Sequence, residues 1–400
     1  MNTSKPERIE SIDIYRGLVM FLMMAEVLRI AKVASQFPGS SLWTWLGWHT
    51  SHVAWRGCSV HDMIQPSFTF LVGVALPFSL AARLGRGQSF FRMAGHALWR
   101  SLLLIGLGII LRSIGKKYTY FTFEDTLTQI GLGYFFVFLL AWLRPAWQMA
   151  VLGVVLVAYF AAFALFPLPN ADFSYAAVGV PADWPHHANG FAAHWNKNSN
   201  LAWAFDKWFL NLFGRESPFE FNRGGYATLS FIPTLGTMIL GLLAGNWLKE
   251  STNRSETCLK LFATGTIAIL LAVGLDQFGI CPNVKRIWTP SWVLFSGGIC
   301  FIVLCILSLL FDRTGVAFVT YPIIVIGANS IVAYVMAETL PGFLRETIAT
   351  HLGLIHDRWG YRPLDLFGKE YQLIVEGGLI LLCFWFVLWW LYRNKTFIRI

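Results

Sequence analysis

Long apolar segments recur along almost the whole chain, and they restrict it to folds that are embedded in a lipid bilayer. A helix needs about 20 residues to cross a hydrocarbon core of ~30 Å. Hydrophobic residues make up 56% of the 400 residues and charged residues only 13%, so a soluble fold could not cover this surface. The segments lack the period-two alternation of barrel strands, and lipid does not tolerate unpaired backbone groups, so we expect helices.

The sequence predicts an all-α polytopic membrane protein with about ten transmembrane helices, in which residues 1–400 form a single membrane-embedded domain. The predicted spans are 14–33, 62–83, 96–114, 126–144, 147–166, 227–248, 258–276, 291–311, 318–338 and 372–392.

Basic residues are concentrated in short segments on one side of the predicted helices, and this bias sets the expected orientation. Both termini are expected to be cytoplasmic. The basic residues on that side are Lys5, Arg8, Arg83, Arg86, Arg92, Arg144, Lys249, Arg254, Arg313, Arg393, Lys395 and Arg399.

The segments 34–60, 167–225 and 339–371 are then outer loops. The loop 167–225 is too long for a structureless connection, so we expect it to pack over the outer face and to be functional.

Several other classes are not expected. The net charge of +9 is scattered and forms no Lys/Arg-rich block, which argues against nucleic acid as a partner. The six cysteines show no CxxC spacing, so the sequence predicts neither a disulfide framework nor a metal site. We also expect no cleaved signal peptide, because the first apolar run ends at Glu26 without a small-residue cleavage pattern.

Ionisable residues within or at the ends of membrane segments are costly and indicate function. They cluster in the first third of the chain. Asp13 and Arg16 are three residues apart on one helix face, where they form an ion pair or leave Arg16 to meet an anionic ligand. The full set is Asp13, Arg16, Glu26, Asp62, Arg100 and Arg112.

The densest polar cluster contains His49, His52, His61 and Asp62 within 14 residues. Histidine accepts and returns a proton near neutral pH, and a carboxylate partner fixes its tautomer and raises its basicity. Because Gly57 lies in the intervening turn, we expect Asp62 to fold back close to His52. This pairing is the minimum requirement for acyl transfer.

Several short blocks follow one another along the chain: SIDIYRG from Ser11, HVAWRG from His52, DMIQPSFTFLVG from Asp62, WRSLLLIGLGI from Trp99, QIGLGY from Gln129, KRIW from Lys285, and Tyr321-Pro with GANSIVAY from Gly327. Taken in order, these blocks resemble the heparan-alpha-glucosaminide N-acetyltransferase family and its bacterial relatives. The resemblance covers most of the chain except the loop 167–225.

The resemblance implies a transfer of acetyl from cytosolic acetyl-CoA to a sugar amine on the opposite side of a bacterial inner membrane. It implies a catalytic role for His52 and functional roles for Asp62, Asp13, Arg16 and Gln129. Acetyl-CoA, a carbohydrate acceptor and the bilayer are the expected partners, no metal cofactor is expected, and a homodimer is left open.

Two positions depart from the family pattern. Glu26 stands where the family enzyme has an asparagine, and a carboxylate there could act as a second base. Arg56 follows the tryptophan of the His52 block, where the family has a neutral polar residue, and it favours an acidic acceptor. The sequence therefore predicts an acceptor that need not be glucosamine.

The chemistry leaves alternatives open. His52 acts either as the base that activates an amino or hydroxyl group or as the carrier of the acetyl group. Arg16, Arg100 and Lys285 are candidates for binding the phosphates of CoA, and Asn329 for a polar contact in the core. The alternative function is a transporter or flippase of sugars or lipid-linked sugars, in which the buried charges line a path.

Overall fold

The computed structural model describes residues 9–312 and 317–398. The regular secondary structure in these ranges is helical, apart from one isolated bridge between Arg56 and Val284. Of the basic residues used to predict orientation, Lys5, Arg8, Arg313 and Arg399 lie outside these ranges. The helices are α1 Glu10–Met24, α2 Ile30–Ala34, α3 Ser41–His49, α4 Ile64–Leu84, α5 Phe90–Ser113, α6 Thr126–Leu140, α7 Pro145–Ala164, α8 Leu201–Phe209, α9 Phe231–Glu250, α10 Arg254–Gln277, α11 Pro290–Phe311, α12 Ala317–Ala328, α13 Ser330–Thr339, α14 Pro341–Trp359 and α15 Gln372–Arg393.

Seven helical segments within the described ranges are long and apolar enough to cross a membrane, so the prediction of a helical polytopic membrane protein is confirmed. They match seven of the ten predicted spans. The segments are 61–84, 90–113, 145–164, 228–250, 254–277, 290–311 and 369–393.

The other three predicted spans have a different form, and ten spans remain a prediction. The span 126–144 contains α6, a helix of 15 residues. The span 318–338 is a pair of helices, α12 and α13, bent by 82° around Asn329, and it raises the number to eight if the pair is one span. The span 14–33 is interrupted: α1 ends at Met24, a 3-10 turn follows at Ala25–Leu28, and Arg29, with a left-handed φ of 51°, separates this turn from α2.

The described residues divide into two compact units. The first unit comprises residues 54–57 and 65–309, and α9 lies at its centre against α6 and α7. Most residues of α9 are buried, which suits a helix that is apolar on all sides.

The connection between α7 and α9 in this first unit is compact. Trp195 and Ala202 from this connection pack with Trp55, Phe163 and Ile287 in one buried apolar cluster. The Trp55 indole donates a hydrogen bond to the carbonyl oxygen of Trp195 at 3.1 Å. The connection is therefore packed and not structureless, as its length predicted.

The second unit comprises residues 9–53, 58–64 and 310–398. Here α1 packs against α12 and α13, and α15 packs against the 3-10 turn that follows α1. Glycines permit these contacts, since a Cβ atom at Gly17 would overlap the backbone of Ile323 and one at Gly377 would overlap that of Val27.

Backbone contact at glycine also joins α4 to α9 in the first unit. A Cβ atom at Gly241 would overlap the carbonyl group of Phe70, and one at Gly245 would overlap that of Val74. Small residues allow helices in lipid to approach closely, and van der Waals packing then holds them together.

We expect Gly241→Ala to destabilise the protein by about 1–3 kcal/mol, the usual cost of overpacking, although alanine is the better helix former. Gly153→Ala in α7 is the matched control, because no heavy atom lies within 4 Å of a Cβ added there. Thermal unfolding in detergent measures both. Equal transition temperatures for the two variants would show that α4 and α9 are not held at backbone contact.

Candidate active site

His52 and Asp62 form a hydrogen-bonded pair, which confirms their predicted proximity. The distance from Nδ1 of His52 to Oδ1 of Asp62 is 2.8 Å. The side chain of His52 is 40% exposed, whereas that of Asp62 is 1% exposed. A carboxylate next to Nδ1 favours the tautomer with the proton on that nitrogen, so Nε2 is the atom that can accept a proton.

Hydrogen-bond donors surround the buried carboxylate of Asp62. Oδ2 accepts from the backbone N–H of Val53 at 3.1 Å, from that of Ser59 at 3.1 Å and from the Ser59 hydroxyl at 3.0 Å. Donors of this kind favour the charged form and partly replace water. They also orient the carboxylate, leaving Oδ1 directed to His52.

The local sequence produces this arrangement. Gly57 has a φ of +113°, a conformation that suits glycine, in the turn that reverses the chain between His52 and Asp62. Ser59 lies two residues before a 3-10 turn at His61–Met63, and its hydroxyl also accepts from the N–H of Asp62 at 3.2 Å.

A second histidine–carboxylate pair adjoins the first. Nε2 of His61 lies 3.3 Å from Oε1 of Glu26, and the rings of His52 and His61 have centroids 4.4 Å apart. The three residues predicted to be catalytic, His52, Asp62 and Glu26, therefore lie in one contiguous cluster. The sequence predicts that His61 belongs to this cluster, but its pairing with Glu26 was not predicted.

His49 has a different environment from His52. Its Nδ1 accepts a hydrogen bond from the backbone N–H of Val60 at 3.3 Å, and its ring contacts Trp45 with centroids 4.6 Å apart. It therefore links α3 to the segment that carries His61 and Asp62.

The other predicted residues of the second unit make close contacts of their own. Arg16 donates to Oδ1 of Asp13 at 2.9 Å, the ion pair that their spacing allowed. Asn329 is fully buried; its amide donates to the carbonyl oxygen of Thr396 at 3.1 Å and accepts from the N–H of Ile398 at 3.0 Å. Asn329 thus joins the break between α12 and α13 to the segment after α15.

The predicted binding residues of the first unit are engaged in protein contacts. Arg56 pairs with Asp276 at 2.9 Å, which offsets the charge that suggested an acidic acceptor. Arg100 donates to the Tyr134 hydroxyl at 3.1 Å, and its guanidinium lies 4.5 Å from the centre of that ring. Lys285 is buried, with 4% of its surface exposed.

Gln129 belongs to a buried polar chain that the sequence analysis did not identify. Its amide donates to the carbonyl oxygens of Phe123 at 2.5 Å and Thr228 at 3.2 Å. The N–H of Thr228 in turn donates to Oδ2 of Asp206 at 2.9 Å. Oδ1 of Asp206 and Oε1 of Gln129 have no hydrogen-bond partner among the residues that the structure describes.

Burial raises the pKa of Asp206 to about 7, and the neighbouring Glu124 carboxylate adds to the increase, against the opposing effects of Thr228 and Arg215. Burial likewise raises the pKa of Glu124. Asp206 is therefore a buried acid that titrates near neutral pH. Its burial, which the sequence alone does not show, is the main cause.

Over the ranges 9–312 and 317–398 no group of three or more His, Cys, Asp and Glu side chains is placed to hold a metal ion. All six cysteines are free thiols.

We expect Asp206→Asn to make the stability of the protein less dependent on pH. The folded state binds more protons than the unfolded state between the unfolded pKa of 3.8 and the folded pKa of about 7. Stability from this group is therefore complete below pH ~4 and is lost as pH rises to ~7, by on the order of a few kcal/mol. The asparagine cannot ionise, so this loss disappears.

Thermal unfolding in detergent between pH 5 and pH 8 tests this, with Asp183→Asn, an exposed position in the same connection, as the control. A parent protein and an Asp206→Asn variant with parallel pH profiles would contradict a raised pKa for Asp206.

Comparisons with known proteins support the resemblance. No family model matches the chain. Human heparan-alpha-glucosaminide N-acetyltransferase is 25% identical over 378 residues, which cover 84% of this chain and 54% of the human protein. The mouse protein of the same name is 25% identical over 378 residues, covering 85% of this chain and 55% of its own length. The chain thus spans about half the length of these curated relatives. It is a distant relative of the heparan-alpha-glucosaminide N-acetyltransferases.

Proposed function

We propose that this protein is a transmembrane acyltransferase of a bacterial inner membrane. It moves an acetyl group from cytosolic acetyl-CoA to an amino or hydroxyl group of a sugar on the periplasmic side. The observation that carries the proposal is the half-exposed His52 imidazole bound to the buried Asp62 carboxylate at 2.8 Å. The two curated relatives are named as N-acetyltransferases, which supports this reaction class and does not favour the transporter alternative.

The His52 tautomer with its proton on Nδ1 leaves Nε2 able to act as a base or as a nucleophile. In direct transfer, the acceptor nitrogen or oxygen attacks the thioester carbonyl, a new N–C or O–C bond forms and the C–S bond breaks. Nε2 of His52 takes the proton of the acceptor and returns it to the CoA thiolate, which leaves as the thiol. Asp62 stabilises the imidazolium ion that exists between the two proton transfers.

In the covalent route Nε2 attacks the thioester carbonyl, the C–S bond breaks, CoA leaves as the thiolate, and His52 carries the acetyl group as an acyl-imidazole. The acceptor then attacks the acetyl carbonyl and the C–Nε2 bond breaks, so that His52 leaves as the neutral imidazole. The proton of the acceptor passes to the CoA thiolate, which becomes the thiol. Both routes require an unprotonated Nε2 at the start. In the neutral imidazole, the Asp62 carboxylate favours the tautomer that meets this requirement, because it holds the ring proton on Nδ1.

Glu26 and His61 are proposed to assist through the adjacent ring contact, with Glu26 as the second base. The His61–Glu26 distance of 3.3 Å and the separation of 4.4 Å between the His52 and His61 rings support a second proton acceptor beside His52. An acceptor amine that arrives protonated must lose a proton before it can attack, and this pair can receive it.

Arg16, Arg100 and Lys285 remain the proposed contacts for the phosphates of CoA. The hydrogen bond between Arg100 and Tyr134 uses one of five guanidinium N–H donors, so the side chain retains donors for a phosphate. Asp13 and Asn329 are proposed to keep the helices of the second unit in position, and Arg56 and Gln129 are proposed to do so in the first unit. Their hydrogen bonds and ion pairs with the protein support that role.

We expect His52→Ala to abolish acetyl transfer. The assay uses the full chain in lipid vesicles, with labelled acetyl-CoA on one side of the membrane and a panel of amino sugars on the other. His351→Ala, an exposed histidine of α14, is the control and should keep its turnover. Sugar uptake without acetylation would instead support the transporter. Retained turnover in His52→Ala, with loss in a His49 or His61 variant, would identify another histidine as catalytic.

We expect Asp62→Asn to lower turnover about a hundredfold or more, the range usual for acid–base catalysis, while acetyl-CoA binding changes little. The amide oxygen should stay with the three donors that bind Oδ2, so the NH₂ group faces His52. The imidazole must then accept at Nδ1 and carry its proton on Nε2, the tautomer that cannot act as a base.

Turnover at saturating donor and acetyl-CoA binding by calorimetry measure the two effects separately, and thermal unfolding verifies the fold of the variant. Lost binding with near-normal turnover would assign Asp62 to the donor site.

A further inference from the structure

One face of α3 is apolar and exposed. Leu42, Trp45 and Trp48 lie at positions i, i+3 and i+6, and they are 61%, 57% and 56% exposed. The opposite face packs on α2, since a Cβ atom at Gly47 would lie 3.0 Å from the Cβ atom of Ala34. Three large apolar side chains on one short helix form a patch of the kind that lipid or a partner covers.

The position of α3 indicates that lipid covers this face. Trp43 of α3 and the neighbouring Phe37 lie beside Tyr371, with ring centroids 6.0 and 5.2 Å from it. Tyr371 belongs to the first turn of the apolar segment 369–393, so α3 lies at one end of a membrane-spanning helix. Trp and Tyr are enriched at this depth, and nine residues of helix, about 13 Å, are too short to cross the bilayer.

A continuous set of contacts connects this face to the active site. Trp45 contacts the ring of His49, and His49 accepts from the N–H of Val60, the residue before His61. The His61 ring in turn contacts the ring of His52. His61 also begins the apolar segment 61–84, so the catalytic cluster lies at the end of a second membrane-spanning segment.

We propose that the acceptor is a saccharide carried on a membrane lipid, whose hydrocarbon lies against Leu42, Trp45 and Trp48 while its amino or hydroxyl group reaches His52. This proposal rests on the acyltransferase function proposed above and names its substrate class. The reaction is unchanged: an N–C or O–C bond forms, the C–S bond breaks, and the proton passes through His52 to the CoA thiolate. The lipid anchor confines the acceptor to the depth at which the cluster lies.

The test compares two acceptors with the same sugar, glucosamine and dodecyl glucosaminide, with the full chain in vesicles and labelled acetyl-CoA. We expect kcat/KM to be about tenfold or more higher for the alkyl acceptor. The double substitution Trp45→Ser and Trp48→Ser should remove most of this advantage by raising KM for the alkyl acceptor. The single substitution Leu42→Ser should act in the same direction if the double variant does not fold. Trp208→Ser, an equally exposed tryptophan of α8, is the control and should keep the advantage.

Equal kcat/KM values for the two acceptors, or an advantage that survives the double substitution, would overturn the lipid-anchored acceptor while leaving the acyltransferase function intact. Failure of the parent protein to acetylate either sugar would overturn both proposals.

A second readout does not depend on activity. A Trp45→Phe and Trp48→Phe double variant lacks these two tryptophans, so the difference in fluorescence between the parent and this variant reports on them. Vesicles of phosphatidylcholine brominated near the headgroup should quench this part of the fluorescence. Absence of this quenching, or a disulfide-linked dimer of a Trp45→Cys variant, would assign the face to a second copy of the chain and overturn the proposal.

Discussion

The buried carboxylate of Asp62 is the constraint on which the candidate site depends. An ionised carboxylate that is removed from water needs donors, and Val53, Ser59 and His52 supply them within ten residues of chain. Satisfying the charge therefore fixes the loop after α3, the first turn of the segment 61–84 and the ring orientation of His52 together. One set of hydrogen bonds therefore determines both the local fold and the geometry of the candidate site.

The helices within each unit are held by contacts that need no hydrophobic driving force, because lipid is as apolar as their side chains. Gly17 and Gly377 allow backbone contact in the second unit, and Gly73, Gly241 and Gly245 allow it in the first. These contacts depend on shape and tolerate little added volume. Polar residues such as Asn329 act differently, since they satisfy backbone groups exposed where a helix breaks.

Much of the architecture and part of the site could be predicted from the sequence. Uninterrupted apolar runs identify seven spans by length alone, and the short spacing between His52 and Asp62, with Gly57 between them, indicates their pairing. The bend at Asn329 and the interruption at Arg29 were not predicted, because the mean hydropathy of a span carries no information on where one residue departs from helical backbone geometry. The pairs Arg56–Asp276 and Asp206–Thr228 join residues 220 and 22 positions apart, and hydropathy carries no information on such contacts.

The two histidine–carboxylate pairs differ in burial, and the proposed reaction gives this difference a meaning. Asp62 is shielded from water and holds the proton of the neutral His52 ring on Nδ1. This suits His52, which must begin every proposed reaction cycle in one tautomer. Glu26 is 56% exposed, so its pair with His61 can exchange protons with solvent. An acceptor that arrives as an ammonium ion brings one proton more than the thiol product removes. In the proposed reaction, the contact between the two imidazoles allows the buried pair to perform the transfer while the exposed pair passes that proton to solvent.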